Sequence, residues 1–213
     1  GLGDVYKRQA KDNSKEVLIP ANMLLNPQTG KPISVRNFIF SEDNSKVLIY
    51  TNTRRVWRYD TRGDYWVLNL KDGKLQQLGK SLPEATLMFA KFSPDASRVA
   101  YVSRNNIYVE SLADGKINQL TQDGNNEIVN GTFDWVYEEE FAFNRALEFS
   151  PDSKMLAFIR FDEREVPSYT FPVFAGEVPH IAPYEKYPGE YTYKYPKTCL
   201  LYTSPSPRDL STS

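Results

Sequence analysis

Short alternating runs of apolar and polar residues, separated by turn-forming residues, fill much of the chain. One arrangement recurs three times: FSEDNSKVLIY from Phe40, FSPDASRVAYV from Phe92 and FSPDSKMLAFI from Phe149. Each gives an apolar residue, a Ser-Pro-Asp or Ser-Glu-Asp turn, and then a strand of β-branched and aromatic residues. Pro94 and Pro151 set φ at the first turn position, and the following Asp can bond back to the turn backbone. A second echo accompanies the first. LNLKDGKLQQL (68–78) and ESLADGKINQL (110–120) each place Asp-Gly between alternating runs, a strong hairpin signal. The pattern predicts strands at 36–40, 46–51, 64–70 and 74–78, then at 87–92, 98–102, 106–112 and 116–120, with a third set beginning near Leu147.

Repetition at a period of roughly 50–60 residues, without helical periodicity between the strands, predicts an all-β chain. The expected architecture is an incomplete β-propeller of about three to four blades, each a four-stranded antiparallel sheet. An ordinary β-sandwich with chance internal similarity is the alternative. Closed propellers take about 4–8 blades, so the chain is expected to be part of a larger protein. From Val166 to Lys197 the character changes to VPSYTFPVFAGEVPHIAPYEKYPGEYTYKYPK. Prolines at this density exclude central strands and helix interiors, which predicts a Pro/Tyr-rich C-terminal excursion, extended, packed by aromatics and mostly connective.

Two terminal segments stand apart from this pattern. GLGDVYKRQ (1–9) and TCLLYTSPSPRDLSTS (198–213) resemble translated read-through of sequencing adapters and are expected to be non-native. That leaves 10–197 as the expected partial propeller domain. The formal charge of −1 and the lack of a basic stripe argue against a nucleic-acid partner. The one cysteine, Cys199, falls in the second terminal segment, so no disulfide or cysteine-based metal site is expected in 10–197. No apolar run approaches the ~20 residues of a membrane span.

One stretch raises a problem of physical chemistry. DWVYEEEF (134–141) crowds Glu138, Glu139 and Glu140 between aromatic residues. If the segment is extended, Glu139 shares a face with Phe133, Trp135, Tyr137, Phe141 and Phe143; if helical, it stacks with Trp135 and Phe143 at i, i+4 spacing. Either geometry takes Glu139 from full hydration beside two like charges, which calls for a compensating cation. A solvated loop with its acids outward, an internal arginine clamp and recognition of a ligand amine are all compatible with the residues.

NGTFDWVYEEEF (130–141) and the FSPDSKMLAFIRFDEREVP that follows (149–167) resemble the N-terminal β-propeller of dipeptidyl-peptidase IV, in the prolyl oligopeptidase group of serine peptidases. RRVWRYDTRGDYWVLNL (54–70), SRNNIYV (103–109) and YKYPK (193–197) agree in order and spacing, and the likeness covers almost all of 10–197. The resemblance implies that Glu139 and Glu140 hold the free α-amine of a peptide substrate and that Arg58, after Trp57, binds a substrate carbonyl. It also implies a parent serine exopeptidase that removes X-Pro or X-Ala dipeptides, with its catalytic triad in a C-terminal α/β-hydrolase domain. An extracytoplasmic location, periplasmic or membrane-anchored, is implied too, with a homodimer among the assemblies expected. No cofactor is expected.

Catalytic residues themselves are not expected in this chain. No G-x-S-x-G elbow occurs among its 11 glycines, and the single histidine, His180, has no serine or cysteine partner by sequence logic. No cluster has metal-ligand spacing. The charged stretch of Arg54, Arg55, Arg58, Asp60, Arg62 and Asp64 reads as a solvated strand edge or hairpin, Arg58 being set apart only by the resemblance, and FDEREVP (161–167) reads as a connection between blades. A non-catalytic binding propeller, either a TolB-like module or an inactive relative of the peptidases, is the competing functional class.

Overall fold

The computed structural model describes residues 5–56, 59–173 and 189–195. At its start β1 (Val5–Arg8), within the segment expected to be non-native, pairs antiparallel with β2 (Lys15–Ile19). The strands predicted from the alternation then form. β3 (Asn37–Phe40), β4 (Lys46–Arg54), β5 (Arg62–Asn69) and β6 (Leu75–Gln77) make an antiparallel meander. β7 (Leu87–Phe92), β8 (Arg98–Ser103), β9 (Asn106–Ser111) and β10 (Ile117–Gln119) make a second. The two four-stranded units touch through one ladder pair, Gly63 with Leu87.

The third unit departs from the expected four-stranded plan. After β11 (Ile128–Asn130) the chain forms a short helix, α1 (Trp135–Phe141), and then the hairpin of β12 (Leu147–Phe149) and β13 (Leu156–Phe158). β14 (Arg160–Asp162) turns away from β13 and pairs with β11. β15 (Ser168–Val173) pairs with β16 (Gly189–Lys194), so the proline-rich excursion contains a two-stranded ladder. Pro172 is tolerated there because the ladder has only two strands, which leaves each an open edge. Apart from α1 and one short 3₁₀ segment, Ala21–Leu24, the regular structure described is β, and it forms a partial propeller of antiparallel sheets.

All three repeated turns are closed by the same hydrogen bonds. Ser41, Ser93 and Ser150 each donate the hydroxyl to the Asp two residues on, at 2.6, 2.5 and 2.6 Å. Each Oγ also accepts from the N–H that opens the next strand: Lys46, Arg98 and Met155, at 3.0, 3.0 and 2.9 Å. The serine bond holds the Asp43 and Asp95 carboxyls down to about 2. Ser93→Ala removes both bonds at a fully buried hydroxyl. It is expected to lower unfolding free energy by about 1 kcal/mol, read from urea denaturation, with no change in far-UV dichroism.

The core lies between the sheets rather than under one of them. Val99 and Tyr101 of β8 pack with Leu48, Val67 and Leu78 of the first unit, whereas Ala100 and Val102 pack with Leu147 and Phe149 of the third. Both faces of β8 are therefore buried, as stacking of consecutive blades requires. A polar bond crosses the first interface: buried Glu110 accepts from Tyr101 Oη at 2.9 Å and from Gly79 N at 2.8 Å. Burial raises its carboxyl despite these donors.

Candidate functional site

The acid triplet is helical. Asp134, with extended backbone at φ −73° and ψ 176°, caps the helix by accepting from Tyr137 N at 3.0 Å. Left-handed Ala142, at φ 56°, ends it after two turns, and Phe143 N closes the end by donating to Tyr137 O at 3.0 Å. Upstream, Gly131 sits at φ +76°, where an added Cβ would meet Ile107 and Val102 side chains at 2.9 Å. That position requires glycine, and it brings the chain off β11 close over the second sheet.

Aromatic packing sets the helix orientation. Phe133 and Tyr137 stack at 5.3 Å between centroids, and both approach Phe161 of β14 at 6.1 and 5.9 Å. On another side, Trp135 meets Tyr193 of β16 at 5.7 Å and Tyr195 at 4.7 Å. The Pro/Tyr-rich segment, expected to be mostly connective, thus supplies a wall of the site.

With the helix so placed, the three acids part company. Glu138 is buried, at 7 % exposed, Glu139 is half-buried and Glu140 is exposed. The alternation points to Glu139 as a carboxyl withdrawn from full hydration, and its Oε1 is indeed buried; Glu138 is withdrawn further still. The reason is the four-residue spacing from Asp134, which puts both acids on the face toward a cleft of about 830 Å³. Phe143, counted with Glu139 in the helical reading, lies beyond the left-handed end and is 53 % exposed. Burial, then the neighbouring Glu139 charge, pushes the Glu138 carboxyl up to about 7, with Arg62 opposing.

A fourth acid joins them from the segment read as a connection. Glu163 is buried on the same cleft. Burial and the Asp134 charge push it up to about 7, against the pull of Lys194. Lys194 itself pairs with Glu127 at 3.1 Å. The charged stretch on β5 is also not uniformly solvated. Asp64 is buried, accepting from Asn52 Nδ2 at 2.7 Å and Ala85 N at 2.8 Å, while Arg62 reaches the cleft. Val56, at the end of the described β4–β5 connection, lines the cleft as well. Arg58, Trp57, His180 and Cys199 lie outside the described residues.

Sequence reasoning singled out Glu139 and Glu140 but passed over Asp134, Glu138 and Glu163 as cleft acids. The first two were detectable from their i, i+4 spacing. Glu163 carried no local signal, because its burial arises from β14 pairing with β11 across an insertion that contains the helix.

The chain is a partial propeller whose third unit is interrupted by an acid-bearing helix. The family model described as "Dipeptidyl peptidase IV (DPP IV) N-terminal region" matches residues 41–200, and the chain belongs to that family. It is 36% identical over 186 residues to dipeptidyl peptidase 4 of Trichophyton rubrum, covering 87% of this chain and 22% of that protein. Among solved structures, dipeptidyl peptidase 4 of Porphyromonas gingivalis superposes with a TM-score of 0.67 at 26% identity, covering 92% of this chain and 29% of that one. The chain spans less than a third of the length of each of these relatives.

Proposed function

We propose that this chain is the substrate-recognising and gating part of a serine exopeptidase that releases N-terminal X-Pro or X-Ala dipeptides. Glu139 and Glu140 hold the α-amine of the peptide, and Arg58 holds a backbone carbonyl. The serine, aspartate and histidine belong to an α/β-hydrolase domain of the parent protein, which acts outside the cytoplasm. This chain alone hydrolyses nothing. The observation that supports the reading is the presentation of three consecutive acids on one short, rigidly capped helix in a chain of this family.

The chemistry suits the residues. A peptide α-amine has a reference pKa of roughly 7.7–8.0, so it is largely an ammonium at neutral pH. Two carboxylates can accept from one ammonium, and an acylated or internal residue offers no such charge. Anchoring the chain end fixes how many residues separate it from the nucleophile, which accounts for two-residue cutting by positioning. The direct test uses the complete parent protein with a Gly-Pro anilide and its N-acetyl derivative. Loss of the ammonium is expected to lower kcat/KM by about 100-fold, in keeping with the few kcal/mol of a charge-assisted contact. Equal rates on the two substrates would remove the amine clamp from the mechanism.

A further inference from the structure

The cleft beside α1 holds carboxylates that the amine clamp does not use. Asp134 spends Oδ1 on the helix cap, leaving Oδ2 buried and without a hydrogen-bond donor. Glu138 Oε1 is likewise buried and without a donor. Both side chains are more than nine-tenths buried, and both line the cleft together with Glu163. A buried acceptor left unmade is costly, more so for a charged group, so these two carboxylates on one cavity, with buried Glu163 lining it too, form a site arranged for a donor.

Among the described residues the nearby cations do not meet that need. Lys194 is engaged by Glu127, and among the described residues no ion pair joins Arg62 or any other cation to Asp134, Glu138 or Glu163. The acids do not converge as a metal-binding group among the described residues. The walls instead include Trp135, Tyr191 and Tyr193, whose ring faces favour an organic cation.

We propose that this cleft is a cation subsite, distinct from Glu139 and Glu140, which takes the guanidinium or ammonium group of a basic side chain of the bound peptide. It rests on the peptide-binding reading only for the source of the cation. A guanidinium suits it well, since its planar fork of five donors can serve Asp134 and Glu138 while stacking on an aromatic wall. The pH behaviour follows from the groups that face the acids. Glu138 is opposed by Glu139 and helped by Arg62; Glu163 is opposed by Asp134 and helped by Lys194. Both ionise near neutrality, so cation binding strengthens from pH 5 to pH 8.

The test titrates the full 213-residue chain with N-acetyl-arginine N-methylamide and with its neutral citrulline analogue, followed by the NMR signal of the Trp135 indole. Neither probe has an α-amine, so the result is independent of the clamp. The arginine probe is expected to bind saturably and at least about ten-fold tighter than citrulline at pH 8, the margin of one charge-assisted contact. Glu138→Gln and Glu163→Gln, both near-isosteric, are each expected to weaken it by about the same factor with unchanged dichroism. Equal affinity for the two probes, or indifference to both substitutions, overturns the subsite. Binding by this chain that is lost in the complete protein would mean that a cation of the parent chain fills the cleft, and would overturn the substrate assignment. Discrimination between the probes alongside an inert Glu139→Gln would leave the subsite standing and remove only the clamp.

Discussion

In the complete parent protein, Glu139→Gln is expected to lower kcat/KM for free-amine dipeptide substrates by about 10- to 100-fold, the worth of one charge-assisted hydrogen bond. Glutamine keeps the volume and one acceptor oxygen, so the helix and its Asp134 cap should persist. What disappears is the charge facing an ammonium. The half-buried position of Glu139 matters here, because partial exclusion of water strengthens its attraction for a bound cation relative to that of a solvated acid. Exposed Glu140 is expected to show a smaller loss. The N-acetylated comparator supplies the control: its already low rate should not fall further. Unchanged kinetics on the free-amine substrate would withdraw the role assigned to Glu139.

The second large effect is on stability and its dependence on pH. Glu138 and Glu163 titrate at about 7 in the folded chain, mainly because burial disfavours their charged forms. In the unfolded chain a glutamate titrates at about 4.3. Between these values the folded state binds more protons than the unfolded state, so stability falls as pH rises. The decline begins above roughly pH 4.5 and levels off beyond pH 7, and each acid contributes at most about 3–4 kcal/mol, less where solvent screens it. Burial of Glu110 acts in the same direction. The turn acids act oppositely and elsewhere: Asp43 and Asp95, held at about 2, favour the folded state above their unfolded values and lose that contribution as pH falls toward 2. Urea denaturation should therefore show a stability maximum near pH 4–5. The Glu138→Gln/Glu163→Gln pair should be the more stable protein at pH 8 and show a much flatter profile from pH 5 to pH 8. A wild-type chain that gains stability over that range would contradict the burial of both acids.

The two predictions concern adjacent residues with opposite demands. On the proposed reading Glu139 meets a charge from outside, whereas Glu138 sits where its own charge is costly. A cation in the cleft would lower that cost, so ligand binding and stability at pH 8 are linked through the same carboxyls.

Much of the fold was legible because its signals are local. The Ser-Pro-Asp and Asp-Gly turns specify their own hydrogen bonds within a few residues. The eight strands of the first two units accordingly appear close to the predicted positions, from Asn37–Phe40 through Ile117–Gln119. The third unit was less legible because its pairing is not local: β14, which follows the β12–β13 hairpin, pairs with β11, across α1 and that hairpin. Proline density in 166–197 predicts an extended, aromatic-packed and mostly connective excursion, yet Ser168–Val173 and Gly189–Lys194 find one another as a two-stranded ladder. Two strands need no hydrogen bond on their outer edges, which is where the prolines do no harm.

Sequence by itself determined the all-β class, the repeated turns, the approximate strand positions of the first two units and the acid triplet with its family likeness, since each is written in the type and spacing of neighbouring residues. Tertiary structure alone decided which acid leaves water most completely. The extended and helical readings both chose Glu139, but burial depends on what packs against a helix face, and Phe161, Tyr193 and Tyr195 come from segments far along the chain. Their packing turned Asp134 and Glu138 toward a shared cleft and brought Glu163 to its other side, because desolvation is set by the whole surround of a group and not by its sequence neighbours.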